Sequence, residues 1–244
     1  MKRALAWPML NSSDRRILFE ELDIPSPTNL EIAPGKAILI NEAAVATGVP
    51  ARKINRLIDD AVLPRSAWVK LGSRRAVRAY AVPMVSFGAT DGSKLSKGTR
   101  LKAMRVIERF ATENWPRLRD DPGHARPLRF ESGCVMISLG EPVSVAMAGL
   151  NRLNDAFRRI VEDPEVRGGI PVVRGTRISV HEVADALAAD GMETALEDFP
   201  ALSREDVEAS ALFAKAHPRT GRPRVGSTFR RPVSEETVNL TDAH

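Results

Sequence analysis

The sequence predicts a mainly α protein with small β hairpins, organised as two helical units. Apolar residues recur at spacings of three and four over several long stretches, while alternating apolar–polar runs are short and flank Gly-containing turns. Charge is unevenly shared: residues 36–127 hold 18 Lys and Arg against 8 Asp and Glu, a local +10, and residues 128–217 hold 9 against 15, a local −6. The flanking stretches 1–35 and 218–244 add only −1 and +2 to the total of +5. A basic module fused to an acidic one is the balance of a nucleic-acid-binding unit joined to a second unit with another task.

Length and composition narrow the classes. A chain of 244 residues can bury a sizeable core in one large or two small domains. No apolar stretch approaches the roughly 20 residues of a membrane span, and the N-terminal residues lack a signal-peptide apolar run. The single cysteine, Cys134, rules out an internal disulfide and a Cys-based zinc site. A cytoplasmic location is expected.

Residues 1–35 read as an extension with one helical pattern, Ser13 to Leu22, broken by Pro25, Pro27 and Pro34. The first unit spans 36–115. Asn41 is suited to cap a short helix over Glu42–Thr47, Gly48 allows a turn, and Pro50 suits the start of a second helix running to about Ala61. Ile54, Leu57, Ile58 and Ala61 share one face of that helix. Ala67–Leu71 and Val77–Val82 read as strands around Gly72–Arg75. A polar loop over Gly88–Gly98 leads to a helix at about Thr99–Asn114, with Leu101, Met104 and Ile107 inward. The Pro/Arg/Asp-rich segment 116–127 reads as a linker.

Beyond it, residues 128–160 read as a connecting hairpin around Ser132–Gly133 followed by a helix over Val145–Ile160. Cys134 falls in the second strand and is expected to be buried. Residues 161–217 begin with a Gly-rich turn region. Three helices follow: His181–Ala189 stopped by Gly191, a short Glu193–Asp198, and Arg204–Ala216 with Ser203 as its cap. Residues 218–244 are polar and aperiodic, a flexible tail.

Helix, glycine turn, helix and hairpin together outline a winged helix-turn-helix. Away from its apolar face the second helix presents Arg52, Lys53, Asn55 and Arg56. Arginine pairs with guanine and asparagine with adenine in the major groove, while lysine grips phosphate. The hairpin adds Lys70, Arg74, Arg75 and Arg78, placed to follow the DNA backbone. With Arg78-Ala79-Tyr80 supplying a basic-x-Tyr in the second strand of the wing, residues 38–115 resemble the MerR-like winged-helix regulators. A basic helical hairpin with no DNA role remains the alternative.

The second unit carries the most specific pattern. It opens with Asp163-Pro164-Glu165-Val166-Arg167-Gly168-Gly169-Ile170-Pro171 and continues Val172-Val173-Arg174-Gly175-Thr176-Arg177-Ile178-Ser179-Val180. Gly191 and Pro200-Ala201-Leu202 follow, with Val207 five residues on. This resembles the small helix-turn-helix family known as domain of unknown function 433. The resemblance implies an antitoxin of the VapB-like type, paired with a toxin of PIN-like ribonuclease fold. It also implies an N-terminal MerR-like unit before the second helix-turn-helix-like unit. Glu205, Asp206 and Glu208 on the last helix would repel phosphate, so its apolar positions Val207, Ala211, Leu212 and Phe213 fit a core or dimer interface. Thr176 and Arg177 suit either a helix-entry turn or phosphate contacts.

By the same resemblance the tail residues Arg222, Arg224, Phe229, Arg230 and Arg231 are the candidate toxin-binding element. An arginine inserted into an acidic metal site of the toxin would displace the ion or neutralise its ligands. A plain disordered end, or a minor-groove arm around Gly221-Arg222-Pro223, are the other readings of the tail.

No catalytic, metal or cofactor constellation stands out. His124, His181, His217 and His244 are scattered, without the i, i+4 spacing of a helical metal pair, and are expected at the surface or at caps. There is no phosphate-binding loop and no Gly-x-Ser-x-Gly elbow. The expected partners are operator double-stranded DNA, a toxin encoded by an adjacent gene, and a second copy of the chain. The competing expectation is a stand-alone MerR-like transcriptional regulator without a toxin, and a weaker one is an RNA-binding interaction protein.

Overall fold

The computed structural model describes residues 32–219; the Ser13–Leu22 pattern and the tail from residue 220 lie outside the described residues. Strand β1 (Ala37–Leu39) runs straight into α1 (Ile40–Thr47), and α2 (Ala51–Asp59) follows. The start of α1 differs from expectation. The Glu42 carboxylate accepts the Leu39 backbone N–H at 2.7 Å, so the helix opens at Ile40 and Asn41 is left exposed instead of capping it. Gly48 takes φ 70, the left-handed conformation a helix stop needs and a Cβ disfavours. Ala43, Ala46, Val49, Ile54, Leu57 and Ile58 are buried where the two helices meet the core.

Strands β2 (Trp68–Leu71) and β3 (Arg74–Arg78) pair antiparallel, with Leu71 opposite Arg74. The turn is therefore Gly72–Ser73 alone, and β3 begins three residues before the predicted strand. Strand β1 pairs along the other edge of β3, giving the sheet order β1–β3–β2 and closing the wing onto the helix pair. After Arg78 the chain makes a 3-10 turn (Ala79–Ala81) and enters α3 (Val82–Ala89), where a strand and then a loop were expected. Every residue of α3 is buried. Apart from Ser86 this enclosed helix is apolar all round, so it shows no amphipathic period to read.

Helix α4 (Lys97–Glu113) is capped by Ser96, whose hydroxyl accepts from the Thr99 N–H at 3.2 Å. It buries Ala103, Met104, Ile107 and Ala111. The predicted linker 116–127 is instead folded into the core. It forms α5 (Trp115–Asp120) and a 3-10 turn (Pro122–Ala125), with Trp115, Leu118 and Ala125 buried. Pro116 sits in the first turn of α5, where its missing N–H removes no helical bond.

A hairpin of β4 (Arg129–Ser132) and β5 (Val135–Ser138) follows, turning at Gly133–Cys134. That register corrects the expectation for Cys134: it sits in the turn and is exposed. Helix α6 (Gly140–Arg158) starts five residues before its predicted beginning and serves both units. Val143, Ala146, Met147 and Leu150 enter the core shared with the winged unit, while Leu153, Ala156 and Phe157 enter the second core.

The second unit opens with a small hairpin, β6 (Ile160–Val161) against β7 (Val172–Val173). Helix α7 (Val180–Asp198) is broken at Gly191 into the two helical segments the spacing predicted. Helix α8 (Arg204–Ala216) begins where expected. The Ser203 hydroxyl accepts from the Asp206 N–H, and the Asp206 carboxylate accepts from the Ser203 N–H at 3.0 Å. Phe213 of α8 meets Phe157 of α6 edge to face, with centroids 5.3 Å apart. The Thr176 hydroxyl donates to the Val173 carbonyl and accepts the Ile178 N–H, so it builds the turn into α7.

The two units are packed against each other. Helix α1 lies on α6 and α8, and Gly149 of α6 rests directly on the Ala46 carbonyl of α1. No helix among the described residues is long and apolar enough to cross a membrane.

Candidate nucleic-acid interface

Helix α2 buries Ile54, Leu57 and Ile58, which turns Arg52 and Arg56 outward into solvent. Arg52 has no hydrogen bond or ion pair among the described residues. Arg56 pairs with Asp60 at 3.5 Å, but with its side chain 81% exposed. Such a pair is worth only about 0.3–0.5 kcal/mol, so it yields readily to a base edge or phosphate. Asn55 is half-buried, and its amide donates to the Ala51 carbonyl of its own helix at 3.2 Å. Lys53, expected to grip phosphate, folds back: its ammonium donates to the Ala89 carbonyl at the end of α3. The last carbonyls of a helix lack intrahelical donors and attract a cation, which explains the detour.

On the wing, Lys70 and Arg74 are exposed and without partners among the described residues. Arg75 and Arg78 are committed within the protein. Arg75 forms an ion pair with Asp59 at 2.7 Å, tying β3 to the end of α2. Arg78 donates to the Gly35 carbonyl at 2.8 Å. Trp68 of β2 lies under the Arg65 guanidinium at 4.3 Å, with Arg75 6.0 Å from its ring. The eight predicted residues thus divide by role. Arg52, Arg56, Lys70 and Arg74 present open cations on two elements, and Arg75 fixes how those elements sit. Lys53 and Arg78 brace the unit, and Asn55 is tied to its own helix.

The tail residues Arg222, Arg224, Phe229, Arg230 and Arg231 lie outside the described residues. Among the described residues, no three His, Cys, Asp or Glu side chains converge where a cation could be held.

Sequence reasoning missed the polar junction between the units. His217, at the end of α8, places Nε2 3.1 Å from a Glu42 carboxylate oxygen of α1, and both side chains are mostly buried. Its ring stacks on Phe213, with centroids 4.6 Å apart. His181 is also half-buried, and burial, reinforced by the Arg219 guanidinium, lowers its pKa. His217 does stand at a helix cap, as expected, but neither histidine is freely exposed. No local pattern could announce a pair separated by most of the chain.

Glu162 lies beside this junction. Burial holds its carboxyl above the ordinary value of 4.5, against the opposing pull of His217. A carboxylate with a raised folded-state pKa costs nothing below about pH 4.5, where folded and unfolded chains are both protonated. The cost grows as pH rises through the folded value. Glu162→Gln is therefore expected to raise the melting temperature at pH 7–8 and to give no gain near pH 4. Thermal melts at both pH values check this, and an equal gain at both would assign the effect to packing.

Residues 160–214 match the family described as Protein of unknown function (DUF433). The chain is similar to Uncharacterized protein y4eO of Sinorhizobium fredii (strain NBRC 101917 / NGR234), with 34% identity over 199 residues, 79% of this chain and 87% of that one. No solved structure matches the chain. With similarity extending over more residues than either helical unit holds alone, the chain belongs to the same family as y4eO and carries a DUF433 unit at residues 160–214.

Proposed function

We propose that this protein is a cytoplasmic, dimeric antitoxin of a type II toxin–antitoxin pair. It binds operator DNA to repress its own operon and neutralises a PIN-like ribonuclease toxin by direct contact. The observation that carries the DNA-binding part is the outward face of α2. Arg52 and Arg56 stand open on the second helix of a helix–turn–helix, and Arg75–Asp59 locks that helix to a wing with open Lys70 and Arg74. The DUF433 unit and its resemblance to VapB-like antitoxins support the toxin-binding part. The five arginines of residues 218–244 supply cationic groups suited to an acidic partner.

A stand-alone MerR-like regulator is the second reading, favoured by one observation. Helix α6 is common to both cores and Gly149 seats it on α1, so the second unit is built into the DNA-binding half. Co-expression with the product of the adjacent gene decides between them. The antitoxin reading expects the neighbour to arrest growth when expressed alone, growth to recover with this chain, and the two proteins to co-purify. A neighbour that is neither toxic nor bound would leave the regulator in first place.

A further inference from the structure

Helix α4 carries a second cationic surface outside the predicted DNA-reading residues. Its buried residues Ala103, Met104, Ile107 and Ala111 define one face. At 100° per residue, Lys102, Arg105 and Arg109 fall on the opposite side, directly away from the core. All three are exposed, and none has a hydrogen bond, ion pair or ring contact among the described residues. They span about 10 Å of helix. Elsewhere, exposed arginines of this chain are often answered by carboxylates: Arg75 by Asp59, Arg159 by Asp206, Arg167 by Glu182 and Arg204 by Glu193. Of the acids on α4, Glu108 faces the wing and accepts from the Ser66 hydroxyl at 3.2 Å, and the exposed Glu113, one turn beyond Arg109, makes no ion pair with it. A row of three unanswered like charges on one helix is destabilising by itself, which makes an external polyanion its natural complement.

The stripe is also anchored to the reading helix. The Lys97 ammonium, at the start of α4, donates to the Asp60 carbonyl at 3.2 Å, just past the end of α2. Glu108–Ser66 ties the middle of α4 to the residues leading into the wing. Helix α4 is thus held at a fixed angle to both elements of the candidate interface.

We propose that Lys102, Arg105 and Arg109 form a phosphate-binding stripe that extends the footprint of this protein along duplex DNA beyond the site gripped by α2 and the wing. The stripe rests on the DNA-binding reading above and deepens it. It touches the sugar–phosphate backbone alone, so it adds affinity and salt dependence without sequence discrimination.

The test is duplex binding by the full-length protein and its K102Q/R105Q/R109Q variant across a salt series, on the operator and on a scrambled duplex. Each phosphate contact contributes about 0.9 to the slope of log K against log salt. The variant is expected to lose roughly 2–3 from that slope and to weaken on both duplexes alike, with their affinity ratio unchanged. Hydroxyl-radical footprints are expected to shorten on one flank. R52A/R56A, in contrast, is expected to lower the ratio. An unchanged slope and footprint in a variant with wild-type circular dichroism would overturn the stripe while leaving DNA binding intact. Unchanged DNA binding together with lost capture of the co-expressed neighbour would overturn it in favour of a protein contact. If the wild-type chain binds no duplex at all, the stripe falls together with the underlying reading, and the wild-type arm alone reveals that.

Discussion

Gly149→Ala is expected to lower the unfolding free energy by about 3 kcal/mol or more, the upper end of what overpacking usually costs. A Cβ at this position would overlap the Ala46 carbonyl oxygen and lie 2.6 Å from its carbonyl carbon. Both obstacles are backbone, so no rotamer change relieves the contact; α1 and α6 must move apart. That separation strains both cores at once, because Val143, Ala146 and Met147 of α6 support the winged unit while Leu153 and Phe157 support the second. Because α1 also orients α2 through the Gly48 turn, DNA affinity should fall in step with stability. Urea denaturation followed by circular dichroism measures the first effect, and duplex titration the second. Gly98→Ala is the control: nothing lies within 4 Å of its added Cβ, and the residue is helical, so stability should hold or rise slightly. A neutral Gly149→Ala would mean that the units are joined loosely and that the shared helix does not couple them.

R52A/R56A carries the largest expected effect on function. Each arginine that meets a base edge contributes about 1–3 kcal/mol of discrimination. Losing both should weaken operator binding by about 30- to 20,000-fold. Both side chains are exposed, and Arg56 gives up only a solvent-screened pair with Asp60, so stability should stay within about 0.5 kcal/mol. Competition anisotropy with operator and scrambled duplexes at one salt concentration separates the cases. Loss on the operator with little change on the scrambled duplex identifies α2 as the reading helix. Equal loss on both would reduce these arginines to phosphate contacts and move base recognition elsewhere. On the antitoxin reading, capture of the adjacent gene's product should survive the substitutions, which leave residues 161–244 untouched.

Residues whose structure follows from near neighbours were legible in the sequence. Ser203 with Asp206 three positions later announces a capped helix, and α8 starts at Arg204 as those two residues require. Gly191 predicted the break in α7, and Gly48 the turn between α1 and α2. The spacing of Ile54, Leu57 and Ile58 gave the buried face of α2, and with it the outward direction of Arg52 and Arg56. The clustered positive charge of residues 36–127 likewise needed no coordinates. Each of these features arises from interactions within a turn or two of helix, or from composition alone.

Tertiary packing decided the rest. Helix α3 is enclosed on every side, so its sequence lacks the polar face that periodicity detects. The segment 116–127 has the prolines and charges of a linker, yet Trp115, Leu118 and Ala125 find a core that distant residues build, and α5 forms there. Cys134 is exposed because strand register put it in the turn, and Lys53 turned from the face predicted to meet DNA because the end of α3 came within its reach. The sequence determined the amphipathic helices, the Ser203 cap, the breaks at Gly48 and Gly191 and which half of the chain is basic, because those properties are local. Which cations remain open, and the joining of both units through Gly149 and the Glu42–His217 contact, depended on residues far apart in the chain meeting in space.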